Sequence, residues 1–469
     1  MARRPHVMVV APPAQGHVRP LLKLSHQIAS QGIKVTFVNT EIIHSKVVAA
    51  MSDSKNEEIG GVTLVSVPDG VGQEDDRKDI FKFTECFQRT MPGNLKDLIQ
   101  RTNDSNEDEP IRFVLVGATI GWLLDVVQDL GIKQAAFWTG SPAGLAFFCH
   151  VPKLIEDGVL DMNGNIVEND QASISEEIPA WNCSELPWHF PGEQKLQKLF
   201  FDMGLVIRPT AQHVKWILCN ASYELHSQAC DLVPNILPVG PFLTTTENSA
   251  STGSFWLEDT SCLSWLDGQE AGSVVYVAFG SIAVFSQQQF DEIALGLELS
   301  GQPFLWVVRS DLANGSPVAY PDGFLERVAD RGKIVEWAPQ ENVLAHPSIA
   351  VFLTHCGWNS TMEGASLGVP FLCWPYFADQ FYNQKYICDI WKVGLKVNPG
   401  EDGIRSRTEI STKIQQGICD DNIRINASKR KDLCQKCLSK VIEKAPSLED
   451  NTKGAPGMVR DGGTRYKRN

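Results

Sequence analysis

The segment of the chain with the clearest chemical potential joins a buried strand to a helix through a glycine turn. The apolar residues 349–353 predict a strand that runs into His355, and Gly357 follows before a helix that we expect to begin near Ser360. The free amides and positive dipole of a helix N-terminus favour a phosphate group. Because His355 lies at the end of the strand, its ring can donate to a phosphate oxygen. The pattern therefore indicates a phosphate site in the C-terminal half.

Structural explanations compete with this interpretation. Ser360 and Glu363 have the Ser-x-x-Glu spacing of a capping box, which would satisfy the helix amides internally. Trp337 and Trp358 are also compatible with ordinary aromatic packing in a core. Periodicity alone leaves both questions open.

A second chemical candidate is His17, which follows Gly16 in the first turn after an apolar strand. A lone histidine is more often a structural residue than a catalytic one. This one, however, lies where folds with parallel strands bind ligands. It also lies at a helix start, where the dipole disfavours the imidazolium and so favours a neutral ring that accepts protons. His17 is therefore a candidate general base.

Alternating strands and helices must position these residues. The N-terminal half opens with a strand at 6–11, a helix at 18–31 and a strand at 33–38, which implies a parallel sheet. Its middle, 157–209, is irregular and rich in Pro and Trp, as is typical of a binding wall or lid. The remaining predicted elements are strands at 111–116, 134–138, 274–279, 304–308, 349–353, 369–373 and 395–397, helices at 122–130, 287–299 and 360–367, and an acidic loop at 103–110.

The low-complexity run 244–253 is the best domain boundary, and two doubly wound halves suggest a ligand cleft at the carboxyl ends of their strands. We predict domains at 1–240 and 256–440, a linker at 241–255, and a polar, disordered tail at 441–469.

Composition excludes several classes of function. The formal charge is −14, from 42 basic and 56 acidic residues, so binding to nucleic acid or to an anionic membrane is not expected. The first apolar run is too short for an export signal, and no stretch reaches the roughly 18–20 apolar residues of a membrane span. We therefore expect a cytoplasmic protein. The 12 cysteines form no metal-binding framework, and the carboxylates at 75–76 and 107–109 read as solvated charge, so no metal site is predicted.

The uninterrupted segment from Trp337 to Gln380 closely resembles the C-terminal signature box of plant secondary-product UDP-glycosyltransferases, the inverting family 1 enzymes. Weaker similarity extends from the Gly16-His17 loop to about residue 440. The resemblance implies a GT-B-like α/β fold, with two Rossmann-like doubly wound domains that face a central cleft. The N-terminal domain would bind the acceptor, and the C-terminal domain would bind the nucleotide sugar.

Carried over by position, the resemblance makes His17 the catalytic base and implies a binding site for a UDP-sugar. The implied donor-site residues are Trp337 and Ala338 for uracil, Gln340 and Glu363 for ribose, His355, Asn359, Ser360 and Ser281 for the diphosphate, and Thr139, Trp358, Asp379 and Gln380 for the sugar.

The nature of the substrates is predicted more coarsely. Gln380, at the last position of the box, resembles glucose-preferring members of the family. We expect a small lipophilic acceptor, such as a phenolic, a flavonoid or a terpenoid. Its site would lie in the N-terminal half, although aromatic residues at helical spacing are usually core. The candidate acceptor-site residues are Phe83, Phe87, Phe147 and Phe148.

The predicted reaction is a single in-line displacement that inverts the anomeric carbon and gives a β-glucoside. The enzyme would need no cofactor and no metal and would act as a monomer. Two alternatives remain open: C-glycosylation of an aromatic carbon, and a catalytically weak protein that binds nucleotide sugars.

Two departures from the family pattern bear on these alternatives. Gly117 stands where family members usually place an aspartate that is hydrogen-bonded to the base histidine. Three explanations follow: His17 acts alone on an acidic phenol, another group such as Thr119 orients it, or the activity is low. The second departure is the polar tail from residue 445, where the family has a helix that docks on the first domain.

Overall fold

The computed structural model of the chain describes residues 4–50, 58–72, 75–76, 79–105, 108–167, 170–243, 253–310, 312 and 319–444. Most of the predicted linker, and the tail from residue 445 on, therefore lie outside the described residues.

The first half contains a parallel sheet. Both faces of this sheet are covered, because Met8 and Val10 of the first strand pack into one core and Val9 packs into another. A short antiparallel pair of strands, at Gln171–Ala172 and Trp181–Asn182, lies outside the sheet. The strands are β1 (His6–Val10), β2 (Lys34–Thr40), β3 (Glu58–Ile59), β4 (Val62–Val67), β5 (Ile111–Gly117), β6 (Lys133–Trp138), β7 (Gln171–Ala172), β8 (Trp181–Asn182), β9 (Ile217–Cys219) and β10 (Ile236–Pro238).

The helices of this half connect successive strands or cover the sheet. They are α1 (Gln15–Ser30), α2 (Glu41–Ala49), α3 (Ile80–Ser105), α4 (Leu124–Asp129), α5 (Pro142–Glu156), α6 (Gln194–Leu205), α7 (Ile207–His213) and α8 (Tyr223–Asp231), with short 3₁₀ helices at Ala118–Leu123 and Cys183–Glu185.

The second half repeats the architecture with a smaller sheet. Its strands are β11 (Val274–Ala278), β12 (Phe304–Val307), β13 (Gly332–Val335), β14 (Ile349–Thr354), β15 (Phe371–Cys373) and β16 (Gly394–Lys396). Its helices are α9 (Ser261–Asp267), α10 (Gln287–Ser300), α11 (Phe324–Arg327), α12 (Gln340–Ala345), α13 (Trp358–Leu367), α14 (Gln380–Lys385), α15 (Arg407–Cys419) and α16 (Asp421–Lys444), with a π-helical turn at Tyr386–Ile390.

The two sheets share a doubly wound strand order. The first runs β10-β9-β6-β5-β1-β2-β4-β3 and the second runs β13-β12-β11-β14-β15-β16. All pairs in them are parallel except β3 with β4. In each sheet the order reverses beside its first strand, between β1 and β5 and between β11 and β14. Ligands bind at this switch point in such sheets, outside the carboxyl ends of the strands.

The predicted fold class, two doubly wound α/β halves, is confirmed, whereas several local predictions are wrong. Helix α1 begins at Gln15, three residues before the predicted start, so His17 lies in its first turn, and α13 begins at Trp358, close to the predicted start near Ser360. The predicted acidic loop at 103–110 is partly helical, because α3 continues to Ser105. The irregular middle contains helices α6 and α7, which the sequence analysis missed.

The last described helix contacts both halves. Helix α16 packs against α13 of the second half and α8 of the first. There Cys437 donates from Sγ to Glu224 Oε2 at 2.9 Å. The helix extends to Lys444, beyond the boundary predicted at residue 440. Among the described helices, none is long and apolar enough to span a bilayer.

Candidate active site

His17 lies at the switch point of the first sheet, four residues after Pro13 of the loop that follows β1. Its Nδ1 is 2.9 Å from the hydroxyl oxygen of Thr139, which follows β6. Burial lowers the pKa of His17 to about 4, so the ring is neutral at physiological pH. When Nδ1–H donates to Thr139, the lone pair of Nε2 is left to accept a proton. Thr139, predicted to contact the sugar, therefore orients the base, and this is the role that the sequence analysis considered for Thr119.

Gly117 ends β5 and lies directly against Pro12. A Cβ atom at this position would be 2.6 Å from Cγ of Pro12 and closer still to its Cδ. Real Cβ atoms do not approach other atoms this closely, so any side chain here would displace the loop that leads to His17. The close packing of β5 against the loop after β1 therefore requires glycine at position 117 and leaves no room for the usual carboxylate.

We expect Gly117→Asp to lower stability without raising turnover. Overpacking of this kind typically costs about 1–3 kcal/mol, and displacement of Pro12 would disturb His17. Melting temperature and kcat, measured on the same preparation, check this. Gly93→Asp is the matched control, since a Cβ atom there meets nothing within 4 Å. Higher turnover of Gly117→Asp at an unchanged melting temperature would show instead that a carboxylate fits and was limiting.

His355 follows β14 at the switch point of the second sheet. Its Nε2 is enclosed by two glycines, since a Cβ atom added at either Gly280 or Gly357 would collide with it. Burial, with a smaller effect from Arg309, lowers the pKa of His355 to about 4. Its Nδ1 is buried and has no hydrogen-bond partner among the described residues. A neutral ring with an unused polar atom beside a helix N-terminus suits a phosphate oxygen.

Arg309 supports the turn that precedes this site. It follows β12 and is 2% exposed, and its guanidinium donates to the carbonyl oxygens of Gly280 and Ala283, the latter at 2.9 Å. Ser281, the predicted diphosphate contact, lies between these two anchored carbonyls and is half-buried. Arg309 was not among the residues predicted from the sequence, although an arginine directly after a buried apolar strand was a usable signal.

The residues predicted for the ribose form one hydrogen-bonded group. Gln340 donates from Nε2 to Ser360 Oγ at 2.9 Å and to Glu363 Oε2 at 2.7 Å. Tyr276 donates to Gln340 Oε1 at 3.3 Å. Ser360 is the third residue of α13 and makes no capping bond, so the capping-box interpretation of Ser360 and Glu363 is wrong. Both side chains face Gln340 because the two helices α12 and α13 pack together.

Trp337 and Ala338, predicted for uracil, lie directly before α12. One face of the Trp337 ring is covered by Trp256, at a centroid distance of 4.4 Å and an interplanar angle of 22°. A base could therefore stack only on the opposite face. The Nε1 atom of Trp337 is buried and has no partner in the described part of the chain.

Two of the predicted sugar contacts, Asp379 and Gln380, lie together at the start of α14, whereas Trp358 lies in α13. Asp379 accepts from Asn383 Nδ2 at 3.0 Å, and the side chain of Gln380 accepts from the amides of Tyr376 and Phe377 at 2.8 and 3.1 Å. The indole of Trp358 is buried against the first half of the chain, where it packs on His226. Its Nε1 donates to the carbonyl of Asn220 at 2.9 Å, so this N–H is not free for a sugar hydroxyl, and the predicted sugar contact of Trp358 stays a prediction.

The two switch points meet across the cleft. Asn359, the second residue of α13, donates from Nδ2 to the carbonyl oxygen of Gly16 at 2.9 Å. Gly16 adjoins His17, so the candidate base and the candidate phosphate site lie on either side of a single hydrogen bond. The Oδ1 atom of Asn359 is buried and has no partner among the described residues.

The four candidate acceptor residues differ in their accessibility. Phe147 is 0% exposed and stacks between Trp181 and Trp188, with centroid distances of 4.1 and 5.7 Å. Phe87 is also buried, against Phe83 and Trp122. Phe147 and Phe87 are thus core residues in this conformation, whereas Phe83 and Phe148 are half-buried.

No group of three or more His, Cys, Asp or Glu side chains in the described ranges has the geometry to hold a metal ion. Of the predicted solvated carboxylates, Asp75 pairs with Lys82 and Glu109 pairs with Lys34 at 3.1 Å, while Glu107 lies outside the described residues.

Comparison with known proteins agrees with this geometry. A family model described as "UDP-glucoronosyl and UDP-glucosyl transferase" matches residues 224–428. UDP-glycosyltransferase 83A1 of Arabidopsis thaliana is 38% identical over 445 residues, covering 93% of this chain and 94% of the relative. The 7-deoxyloganetin glucosyltransferase of Catharanthus roseus is 33% identical and covers 85% of each chain.

A solved UDP-glucosyltransferase from Polygonum tinctorium has the same GT-B architecture. The TM-score is 0.76 at 27% identity, covering 94% of this chain and 97% of that one. With two facing doubly wound domains and relatives that match along nearly their whole length, the chain belongs to the plant family 1 UDP-glycosyltransferases.

Proposed function

We propose that this UDP-glycosyltransferase transfers glucose from UDP-glucose to a hydroxyl group of a small lipophilic molecule and produces a β-glucoside. The observation that carries the proposal is the Asn359–Gly16 hydrogen bond, which holds the base side and the phosphate side of the cleft together. A proton acceptor and a nucleotide diphosphate bound on these two sides would be adjacent, as a displacement at the anomeric carbon requires.

In the proposed mechanism, Nε2 of His17 takes the proton of the acceptor hydroxyl while Thr139 holds the ring in position through Nδ1. The acceptor oxygen attacks the anomeric carbon as the bond to the diphosphate breaks, and the configuration inverts. Negative charge develops on the departing UDP. The first amides of α13 and the ring of His355 are preorganised to stabilise that charge.

The donor would extend from Trp337 to the start of α14. Its uracil would stack on the free face of Trp337, and its ribose would meet Gln340 and Glu363. Glucose hydroxyls would then reach Asp379 and Gln380. Gln380 already uses Oε1 on the loop before α14, so its Nε2 is the atom left for a hydroxyl.

The acceptor class is supported by what the relatives' names state. The Polygonum tinctorium enzyme is described as capable of glucosylating indoxyl and was solved with 3,4-dichloroaniline, and the Catharanthus roseus relative is named for 7-deoxyloganetin. Indoxyl and 3,4-dichloroaniline are small molecules with aromatic rings. In this chain, the half-buried rings of Phe83 and Phe148 are the aromatic candidates to contact such an acceptor.

We also propose that the reaction is independent of metal ions. The diphosphate would be stabilised by His355 and the α13 amides, so treatment with EDTA should leave kcat unchanged. Loss of activity on chelation, restored by Mg²⁺ or Mn²⁺, would contradict this part of the mechanism.

A product screen tests the proposed function. The purified protein is incubated with UDP-glucose and a panel of flavonoids, simple phenols and terpenoid alcohols, and products are identified by mass spectrometry. Transfer with a product bond that acid cleaves supports O-glucosylation, whereas an acid-stable bond indicates a C-glycoside. UDP-glucose binding without transfer to any acceptor would favour a nucleotide-sugar-binding protein.

The pH dependence should distinguish Asp379 from His17. Burial raises the pKa of Asp379 to about 6, against a smaller opposing effect of its bond from Asn383. Above this pKa the side chain is mainly the ionised carboxylate, which accepts hydrogen bonds from the sugar hydroxyls. We therefore expect kcat/KM for UDP-glucose to fall as the pH decreases through about 6, with a further change near 4, where both His17 and His355 protonate.

Asp379→Asn should remove the inflection near pH 6 and weaken UDP-glucose binding, while UDP affinity stays unchanged. A profile that keeps this inflection in Asp379→Asn would assign the titration to another group.

A further inference from the structure

Two basic side chains of α1 cross the cleft and enter the proposed ribose site. Arg19 and Lys23 are four residues apart and so share one face of the helix. Lys23 Nζ lies 3.0 Å from Glu363 Oε1 and also contacts Glu341. Arg19 Nη2 lies 3.3 Å from Glu341 Oε1 and 3.8 Å from Glu363 Oε1. These ion pairs join the first half of the chain to the second.

The pairs are mostly buried, which makes them different from ordinary surface salt bridges. Side-chain exposure is 10% for Lys23 and 3% for Glu363. A carboxylate removed from water is costly unless it is paired and hydrogen-bonded. Glu363 meets that requirement from two directions, since Lys23 reaches Oε1 and Gln340 donates to Oε2.

Removal of Lys23 would leave an unbalanced group of carboxylates. Glu258 lies close enough to both Glu341 and Glu363 to interact with each electrostatically, and burial raises the pKa of Glu258. Arg19 would then be the remaining cation opposite three acidic groups. Repulsion between Glu341 and Glu363 would favour another rotamer of Glu363.

We infer that Lys23 is a positioning residue of the donor site, supplied by the opposite domain, which holds the Glu363 carboxylate where it can accept the ribose hydroxyls of the donor. The inference rests on the proposed function. It follows that recognition of the ribose depends on a closed cleft, because Lys23 reaches Glu363 only when α1 faces α13.

Ligand pairs that differ only in the ribose provide the test. Titration calorimetry measures the affinity of UDP and of 2′,3′-dideoxyuridine diphosphate for the wild type, Lys23→Met and Lys23→Arg. We expect the wild type to prefer UDP, and Lys23→Met to lose roughly tenfold or more of that preference, as expected when a buried charge pair is broken. Lys23→Arg should retain most of it.

Matched variants separate this role from general stability. Lys82→Met removes an exposed lysine whose partner, Asp75, is also near the surface, and it should leave both affinities unchanged. If Lys23→Met does not fold, Lys23→Gln, which keeps a neutral donor, takes its place. In a Glu363→Gln background, loss of Lys23 should cause no further change in ribose preference.

The outcomes are distinct. An unchanged preference in folded Lys23→Met, or tighter UDP binding, would overturn the role of Lys23 while leaving the proposed function intact. Failure of the wild type to bind UDP at all would overturn the proposed function, and the inference with it.

Discussion

His17→Ala is expected to lower kcat by about 10²–10⁴, the range for loss of a general base. The imidazole is the group whose Nε2 is free to take the acceptor proton, since Nδ1 is engaged by Thr139. UDP affinity should persist, because the proposed diphosphate contacts come from His355 and α13 in the opposite domain. Single-turnover rates and UDP titration on the same variant separate the two effects.

Thr139→Val is the matched variant for this prediction. It keeps the volume of the side chain but removes the oxygen that orients His17, so an intermediate loss of kcat is expected. Turnover of His17→Ala close to the wild type would remove His17 from the mechanism. Loss of UDP binding in that variant would instead point to a structural role at the Gly16–Asn359 contact.

Trp181→Ala is expected to cause the largest loss of stability among the aromatic residues of the cleft, about 3–5 kcal/mol. Trp181 is 1% exposed and stacks on Tyr382 of α14 at 3.9 Å, and its other neighbour is Phe147 of α5 at 4.1 Å. The ring therefore links the two domains. Its removal leaves a cavity that the flanking rings of two separate domains cannot readily fill.

Chemical denaturation and the KM for UDP-glucose measure this effect. The KM should rise, because Tyr382 lies on the same helix as Gln380 and adjoins the loop of Asp379. Trp216→Ala is the control, since this indole is 40% exposed and surface substitutions usually change stability by less than about 0.5 kcal/mol. If Trp181→Ala unfolds at the same denaturant concentration as the wild type, the stacked rings do not contribute to stability between the domains.

Local patterns in the sequence determined the fold class and the position of most reactive groups along it. Apolar runs such as 274–278 and 349–353 are typical of strands buried in a covered parallel sheet, and polar residues that follow such strands lie at its carboxyl edge. This is why His17 and His355 could each be proposed as ligand-site residues, beside a cleft between the halves, before any contact was known. The long match from Trp337 to Gln380 added the family.

Only the tertiary structure decided which partner each side chain takes. Thr139 is 122 residues from His17, and Glu363 is 340 residues from Lys23. Helical and strand periods act over a few residues and carry no information about such distances. The local signal at Ser360 and Glu363 even favoured a capping box. In the structure α12 packs on α13, and both side chains instead accept hydrogen bonds from Gln340. Partners across the cleft depend on how two separately folded sheets meet, because their polar groups must be paired where water is excluded.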